Sequence, residues 1–297
     1  MAQLRLRVPP WLGGDLGWIM AGRAARSLSQ GYLGVIVPLY LLHLHYTAVS
    51  LGELSTVGAI VSAVMTVAVS LLADQYGRKP FLVIFPLMTA VGAIVFIATR
   101  NFGVIVAASA LGTIGRSGGA GAAGGGGPFY PAQQALIADH AGTASRNTVF
   151  SAFSLVDTLA STVGALTAGV PVLLVNGAGM TVTDSYKPLF VLTSVLSVLS
   201  ALLILPVHDT LRRKEEGVRR QFLPTKSRNV IGRLALTNLL NGVGVGFFSP
   251  FVAYWFNVRY GEGPAQIGFL FAAVSLGAAI PYLFAPALAR AMGIVRA

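Results

Sequence analysis

The chain has 297 residues and a net charge of +11, yet only 10% of its residues are charged and 55% are hydrophobic. Soluble domains usually carry about 25% charged residues, so this composition excludes an ordinary soluble domain. The absence of cysteine excludes a disulfide framework, a thiolate metal site and a cysteine nucleophile. A basic chain binds nucleic acid when its charges share an exposed face, whereas here they lie between apolar runs, so we expect no nucleic-acid partner.

The apolar runs are long enough to cross a lipid bilayer, because about 20 apolar residues in a helix span roughly 30 Å of hydrocarbon. In chain order, the predicted spans are 27–45, 51–73, 80–99, 102–124, 148–175, 188–206, 233–256 and 264–289. The sequence therefore predicts an all-α membrane protein. Asp15, Arg23 and Arg26 interrupt any apolar core before the first span, so the N-terminal residues do not resemble a cleaved signal peptide.

The basic residues between the spans set the predicted orientation. With the N-terminus in the cytoplasm, 17 of the 21 Lys and Arg residues fall in inner segments, as the positive-inside rule requires. Residues 207–230 follow the sixth span and are rich in both signs of charge. We expect a six-helix bundle in residues 1–206, a cytoplasmic linker in 207–230, and part of a second bundle, with two helices, in 231–297.

Nine glycines fall within residues 112–127, which cover the second half of the fourth predicted span and the three residues after it. Small residues let helices pack closely in a membrane, but so many glycines also weaken a helix. We therefore expect the fourth helix to loosen or break near its inner end. Residues 129–139 are predicted to form a short helix at the inner surface.

A polar loop follows the second predicted span, in the sequence LLADQYGRKP. Asp74 ends a helix, where the helix dipole disfavours an anion unless a cation such as Arg78 lies beside it. Gly77 permits a tight turn with positive φ, and Lys79 can bind anionic lipid headgroups. The loop resembles the signature loop between helices two and three of the major facilitator superfamily. The alternative is a basic turn that only sets the topology.

A second segment, PAQQALIADHAGTASRNTVFSAF, is similar to the family's connection between helices four and five, with Asp139 and Arg146 at its acidic and basic positions. Asp139 is expected near Arg78, and this pair is our candidate inner gate. An ion pair that breaks and reforms can bias two arrangements of helix bundles. The alternative is a pair of solvated loop charges. The resemblance implies a complete N-terminal half of six helices and the first two helices of the C-terminal half.

Two charged residues fall within predicted spans, where an unpaired charge costs at least about 2.5 kcal/mol. Arg116 resembles a basic residue that the family often places in helix four for proton coupling or anionic substrate contact; snorkelling to the headgroups is the alternative. Asp157 is a candidate protonatable site or partner of Arg116, and otherwise an interface residue near the inner surface. Gln30, Asn238 and Asn241 are polar residues in other spans and are candidates to line a substrate cavity.

Other function classes lack their residue patterns. No GxxxxGK[ST] sequence is present for an ATP-driven pump, and the four histidines are dispersed, so we expect no enzyme activity, metal or cofactor. The resemblance implies secondary active transport of a small solute by alternating access, in efflux or uptake, with protons as the candidate coupling ion. The alternative is a truncated or degenerate relative that only binds or packs in the membrane, because the family has twelve helices. We expect an integral protein of a prokaryotic plasma membrane.

Overall fold

The computed structural model of the chain describes residues 14–114, 127–141, 146–208 and 228–292. Every regular element within these residues is a helix. The α-helices are α1 (Asp15–His43), α2 (Ala48–Tyr76), α3 (Lys79–Ala98), α4 (Phe102–Gly112), α5 (Phe129–His140), α6 (Arg146–Thr167), α7 (Val170–Ala178), α8 (Lys187–Ile204), α9 (Arg228–Phe248), α10 (Val252–Tyr260) and α11 (Pro264–Met292). Short 3-10 helices at Asp184–Tyr186 and Ser249–Phe251 lead into α8 and α10.

In the part of the chain that the structure describes, five helical segments are long and apolar enough to cross a membrane. They are Ala48–Ala73, Lys79–Ala98, Arg146–Ala178, Asp184–Ile204 and Pro264–Ala285. These segments confirm the predicted all-α membrane bundle. The other predicted spans correspond to α1, α4 and α9, of which α4 is described over only 11 residues, so the count of eight spans stays a prediction.

The fifth predicted span is divided between α6 and α7 and the seventh between α9 and α10, and two other helix boundaries differ from the predicted spans by 12 residues. α1 begins at Asp15 rather than at residue 27, and Arg23 in its first half is buried against side chains of α5 and α6, as described below. α4 ends at Gly112 rather than at residue 124, and Thr113 takes a left-handed conformation with φ 54°. This early end is the break that the glycines predict, and α5 is the short helix expected after them.

α1 lies at the centre of the bundle. Nearly all of its residues between Tyr32 and Leu41 are buried, as expected of a helix that is apolar all round. Around this second half, the rings of Phe96 in α3 and Phe190 in α8 stack with centroids 5.0 Å apart. A separate apolar cluster surrounds the first half of α1 and includes side chains of α3, α5 and α6. The two clusters fix α1 against helices on every side.

Glycines bring α1 and α6 into backbone contact. A Cβ on Gly31 would collide with the carbonyl oxygen of Ser161, and a Cβ on Gly164 would collide with that of Leu28. On another face of α6, Gly268 of α11 lies against a main-chain carbonyl in the same way. Small residues at helix interfaces allow such close approach in membranes. The contact holds the polar residues of α1 next to α6.

Candidate functional site

Four polar residues lie on one face of the first half of α1. Arg23, Arg26, Ser27 and Gln30 follow the spacing i, i+3, i+4 and i+7, which places them on one helix face. At 1.5 Å per residue, the two arginines lie about 12 and 16 Å from the start of α1. Asp157 lies about 16 Å from the start of α6. Because α1 and α6 are in contact, the two arginines and Asp157 lie at a similar distance along the two helix axes.

Arg23 joins α1 to both α6 and α5. Its Nε lies 3.1 Å from Oδ1 of Asp157, and its Nη2 donates a hydrogen bond to Oδ2 at 3.2 Å. Ser27 Oγ also donates to Oδ1. Arg23 Nη1 donates to Oε1 of Gln133 in α5 at 3.1 Å. We call Arg23, Arg26, Ser27, Gln133 and Asp157 the α1–α6 charged cluster.

Most of this cluster is shielded from solvent. Arg23 is 5% exposed and Gln133 is 1% exposed, whereas the Asp157 side chain is 40% exposed. Two hydrogen bonds, from Arg23 Nη2 and from Ser27 Oγ, and the nearby Arg23 Nε hold the two carboxylate oxygens of Asp157 against α1. A bidentate Arg–carboxylate pair of this kind is stronger than one between solvated side chains. The cluster therefore connects three helices through one charged group on each of α1 and α6.

Aromatic rings of α5 cover the two arginines. The guanidinium carbon of Arg26 lies 4.1 Å from the ring centroid of Phe129. That of Arg23 lies 5.4 Å from the centroid of the Tyr130 ring. Both distances are within the range of cation–π attraction. α5 thus supplies both an amide and two rings to the charged groups of α1.

The loop between α2 and α3 has the geometry that its sequence predicts. Gly77 has φ 87°, a conformation that favours glycine. Arg78 forms an ion pair with Asp139 of α5, and the two side chains are 26% and 42% exposed. Only the backbone of Asp74 is described, so its predicted contact with Arg78 lies outside the described side chains. The pair ties this loop to α5, while its role as a gate stays a prediction.

The remaining candidates lie in several places. Lys79 is the first residue of α3, and Arg146 Nη2 donates to the carbonyl of residue 138 at 3.2 Å. Gln30 is half-buried in α1, one turn beyond Arg26. Asn241 is exposed on α9, whereas only the backbone of Asn238 is described. Arg116 lies outside the described residues, so the described partner of Asp157 is Arg23.

A second polar cluster, which we call the histidine cluster, lies at the first residue of α1. Asp15 Oδ2 lies 3.3 Å from Nε2 of His140 and accepts a hydrogen bond from the backbone N–H of His208 at 3.1 Å. The His208 Nδ1 lies 3.4 Å from Asp15 Oδ1. Burial alone would raise the pKa of the Asp15 carboxyl, but the hydrogen bonds from His208 and the charges of both histidines hold it below its ordinary value. The cluster ties the ends of α5 and α8 to the start of α1.

Sequence reasoning missed most of the α1–α6 charged cluster. Arg23 and Arg26 precede the apolar run at residue 27, and the positive-inside rule assigns them to the charges that set topology. Their spacing with Ser27 and Gln30 is the signal that could have placed them on a helix face. The pairing of Gln133 with Arg23 depends on a contact 110 residues apart in the chain, for which no local pattern exists.

Paired charges inside a bundle of membrane-crossing helices define the class of protein. It is a polytopic α-helical membrane protein in which Arg23 and Asp157 pair with each other between two helices of the bundle. The sequence profile of the Major Facilitator Superfamily matches residues 19–297, and the chain belongs to that family. Members of the family are membrane transporters rather than enzymes and bind small-molecule substrates within the membrane. The predicted family membership is confirmed.

A similar protein is found in Saccharomyces cerevisiae, where it is described as an uncharacterized membrane protein. It is 23% identical over 316 aligned positions, which cover 95% of this chain and 69% of the yeast protein. The relative supports an integral, multi-pass membrane protein. Because it comes from yeast, it gives no support to the expected prokaryotic plasma membrane.

Proposed function

We propose that the protein is a secondary active transporter that moves a small solute across the membrane by alternating access. The observation that carries this proposal is the Arg23–Asp157 ion pair between α1 and α6. Charged groups inside a membrane bundle are costly and mark substrate or ion pathways. Because members of the family are transporters, a role in a solute pathway fits this ion pair best.

The proposed architecture has two bundles that move relative to each other. Residues 1–206 form the first bundle, residues 207–230 a cytoplasmic linker, and residues 231–297 belong to the second. α6 of the first bundle packs against α11 of the second, and these helices meet closely near Ala165 and Gly268. Alternating access requires this contact to open at the predicted outer side and close again.

Protons are the proposed coupling ion, with Asp157 as the group that binds them. Protonation would remove the negative charge that holds Arg23 and would free that guanidinium for another partner. The Asp157 side chain is 40% exposed, so packed helices do not fully enclose the carboxylate. A proton-dependent change in the Arg23 contact would bias the two arrangements of the bundles.

Spin-label distance measurements test alternating access without a known substrate. With no native cysteine, Gly177→Cys in α7 and Val258→Cys in α10 give one labelled pair at the predicted outer side. In lipid nanodiscs we expect two distance populations whose ratio changes with pH. Asp157→Asn should remove the pH dependence, whereas Asp184→Asn, at an exposed carboxylate, should retain it. One unchanging distance at all pH values would contradict the proposal.

Arg78 and Asp139 are proposed to stabilise the state that is closed on the cytoplasmic side, together with Asp74. The pair positions the α2–α3 loop on α5, which we propose receives the second bundle on closure. An ion pair at this exposure contributes about 1 kcal/mol, which corresponds to about a five-fold population ratio. Arg78→Ala should therefore shift the same spin-label populations about five-fold toward the form closed at the outer side.

The matched variants for this prediction are Arg78→Lys and Arg233→Ala. The lysine retains the charge and should recover part of the shift, although it cannot reproduce a guanidinium contact. Arg233 is an exposed cation of α9, and its removal should leave the distribution unchanged. If Arg78→Ala is expressed normally and its spin-label distance distribution is unchanged, the gating role is wrong and the α2–α3 loop only sets the topology.

A further inference from the structure

The α1–α6 charged cluster contains two guanidinium groups and a single carboxylate. Both oxygens of Asp157 already bind Arg23 and Ser27. Within the described residues, Arg26 has no ion pair, and its Nε is a buried donor without a hydrogen-bond partner. The cluster therefore carries one positive charge in excess inside the bundle.

Gln133 supplies a second buried donor without a partner. Its Oε1 accepts the hydrogen bond from Arg23, and this contact fixes which end of the amide is the nitrogen. Among the described residues, Nε2 has no hydrogen-bond partner, although the side chain is 1% exposed. Buried polar groups are nearly always paired, so both free donors require an acceptor that the described chain does not provide.

The contact with Phe129 does not occupy the donors of Arg26. Phe129 covers one face of the guanidinium group at 4.1 Å, but the N–H groups of arginine project from the edge of that plane. An edge with several parallel donors matches the two oxygens of a carboxylate or phosphate. The excess charge, the unpartnered Nε of Arg26 and the unpartnered amide nitrogen of Gln133 all favour the same kind of ligand.

We propose that Arg26 and Gln133 bind the carboxylate or phosphate group of an anionic ligand. The ligand is either the transported solute, in which case this inference rests on the proposed function and makes the substrate an organic or inorganic anion, or the headgroup of an anionic lipid. Either ligand neutralises Arg26 and accepts from both free donors. Arg23 and Asp157 hold the site in place by fixing α1, α5 and α6 relative to one another.

The site is tested by the thermal unfolding of the purified protein. One arm adds inorganic phosphate or succinate in detergent. The other compares nanodiscs of phosphatidylcholine with nanodiscs that contain phosphatidylglycerol. The variants are Arg26→Gln, Arg26→Lys and Gln133→Glu, and the control is Arg259→Gln, which removes an exposed cation from α10.

We expect anions to raise the unfolding temperature of the wild type and of Arg259→Gln. Arg26→Gln loses a charge-assisted contact, so it should need about ten-fold more anion for the same rise in unfolding temperature. Arg26→Lys should need an intermediate concentration. Gln133→Glu places a carboxylate at the Arg23 contact, one turn of α1 from Arg26, where it adds the negative charge that the cluster lacks. It should raise the unfolding temperature without added anion and remove the response to anion.

A response to phosphate or succinate identifies a solute as the ligand, and a response to phosphatidylglycerol alone identifies a lipid headgroup. Equal behaviour of Arg26→Gln and the wild type in both arms would overturn the site. Anion binding that depends on Arg26, together with a single spin-label distance, would refute alternating access and leave the site intact. Two distance populations without anion binding that depends on Arg26 would overturn the site and leave alternating access intact.

Discussion

Gly31→Ala is expected to destabilise the protein by about 3 kcal/mol, although it adds only one methyl group. The new Cβ would collide with the backbone of α6 at Ser161 and could not be relieved by rotation of a side chain. Overpacking a core usually costs about 1 to 3 kcal/mol, and a backbone obstacle places this site at the upper end. Unfolding in a denaturing detergent, followed by circular dichroism, measures the change.

Gly244→Ala is the matched control for this substitution. Gly244 is also helical, in α9, and no described atom lies within 4 Å of a Cβ built there. Alanine is a better helix former than glycine, so this variant should be as stable as the wild type or slightly more stable. Equal stability of the Gly31 and Gly244 variants would contradict the close contact of α1 and α6.

Asp157→Asn is expected to cost about 2 kcal/mol of stability, because it leaves the Arg23 guanidinium buried without a counter-charge. Removing one partner of a fully buried pair costs about 3 to 5 kcal/mol, and the half-exposed carboxylate lowers the expected value here. The same unfolding measurement detects the loss. Asp184→Asn, which breaks an exposed pair with Lys187, should have a much smaller effect.

A double variant separates the interaction from the individual substitutions. Arg23→Gln together with Asp157→Asn removes both charges and keeps groups that can form hydrogen bonds. It should be more stable than Asp157→Asn alone, since the unpaired charge is gone. If the two single effects simply add, the ion pair does not contribute as described.

The membrane class and the positions of most helices could be predicted because hydropathy is a local property of the chain. The same holds for the break after α4, since glycine content alone weakens a helix. The Arg78–Asp139 contact was expected from the family resemblance, and the structure forms it. The gating role of that contact, and the number of spans, stay predictions.

The partner of Asp157 could not be predicted, because it depends on which helices touch. The sequence offered Arg116 as a charge in a neighbouring span, whereas the described contact is with Arg23 on α1. That contact exists because glycines at Gly31 and Gly164 allow two backbones to meet. The hydropathy pattern places Arg23 outside the membrane, because a charged residue lowers the mean hydropathy of any sequence window that contains it.

The position of α5 has a thermodynamic consequence. This one helix of 12 residues contacts the interior through Gln133, the α2–α3 loop through Asp139 and the start of α1 through His140. A ligand that shifts the helix at Gln133 also changes the free energy of the contacts at its other end. Linkage is reciprocal, so protonation or salt that alters those surface contacts must change the affinity of the proposed interior site for its ligand by the same factor. At the proposed anion site, α5 would thereby make ionic conditions in the surrounding water a determinant of binding inside the bundle.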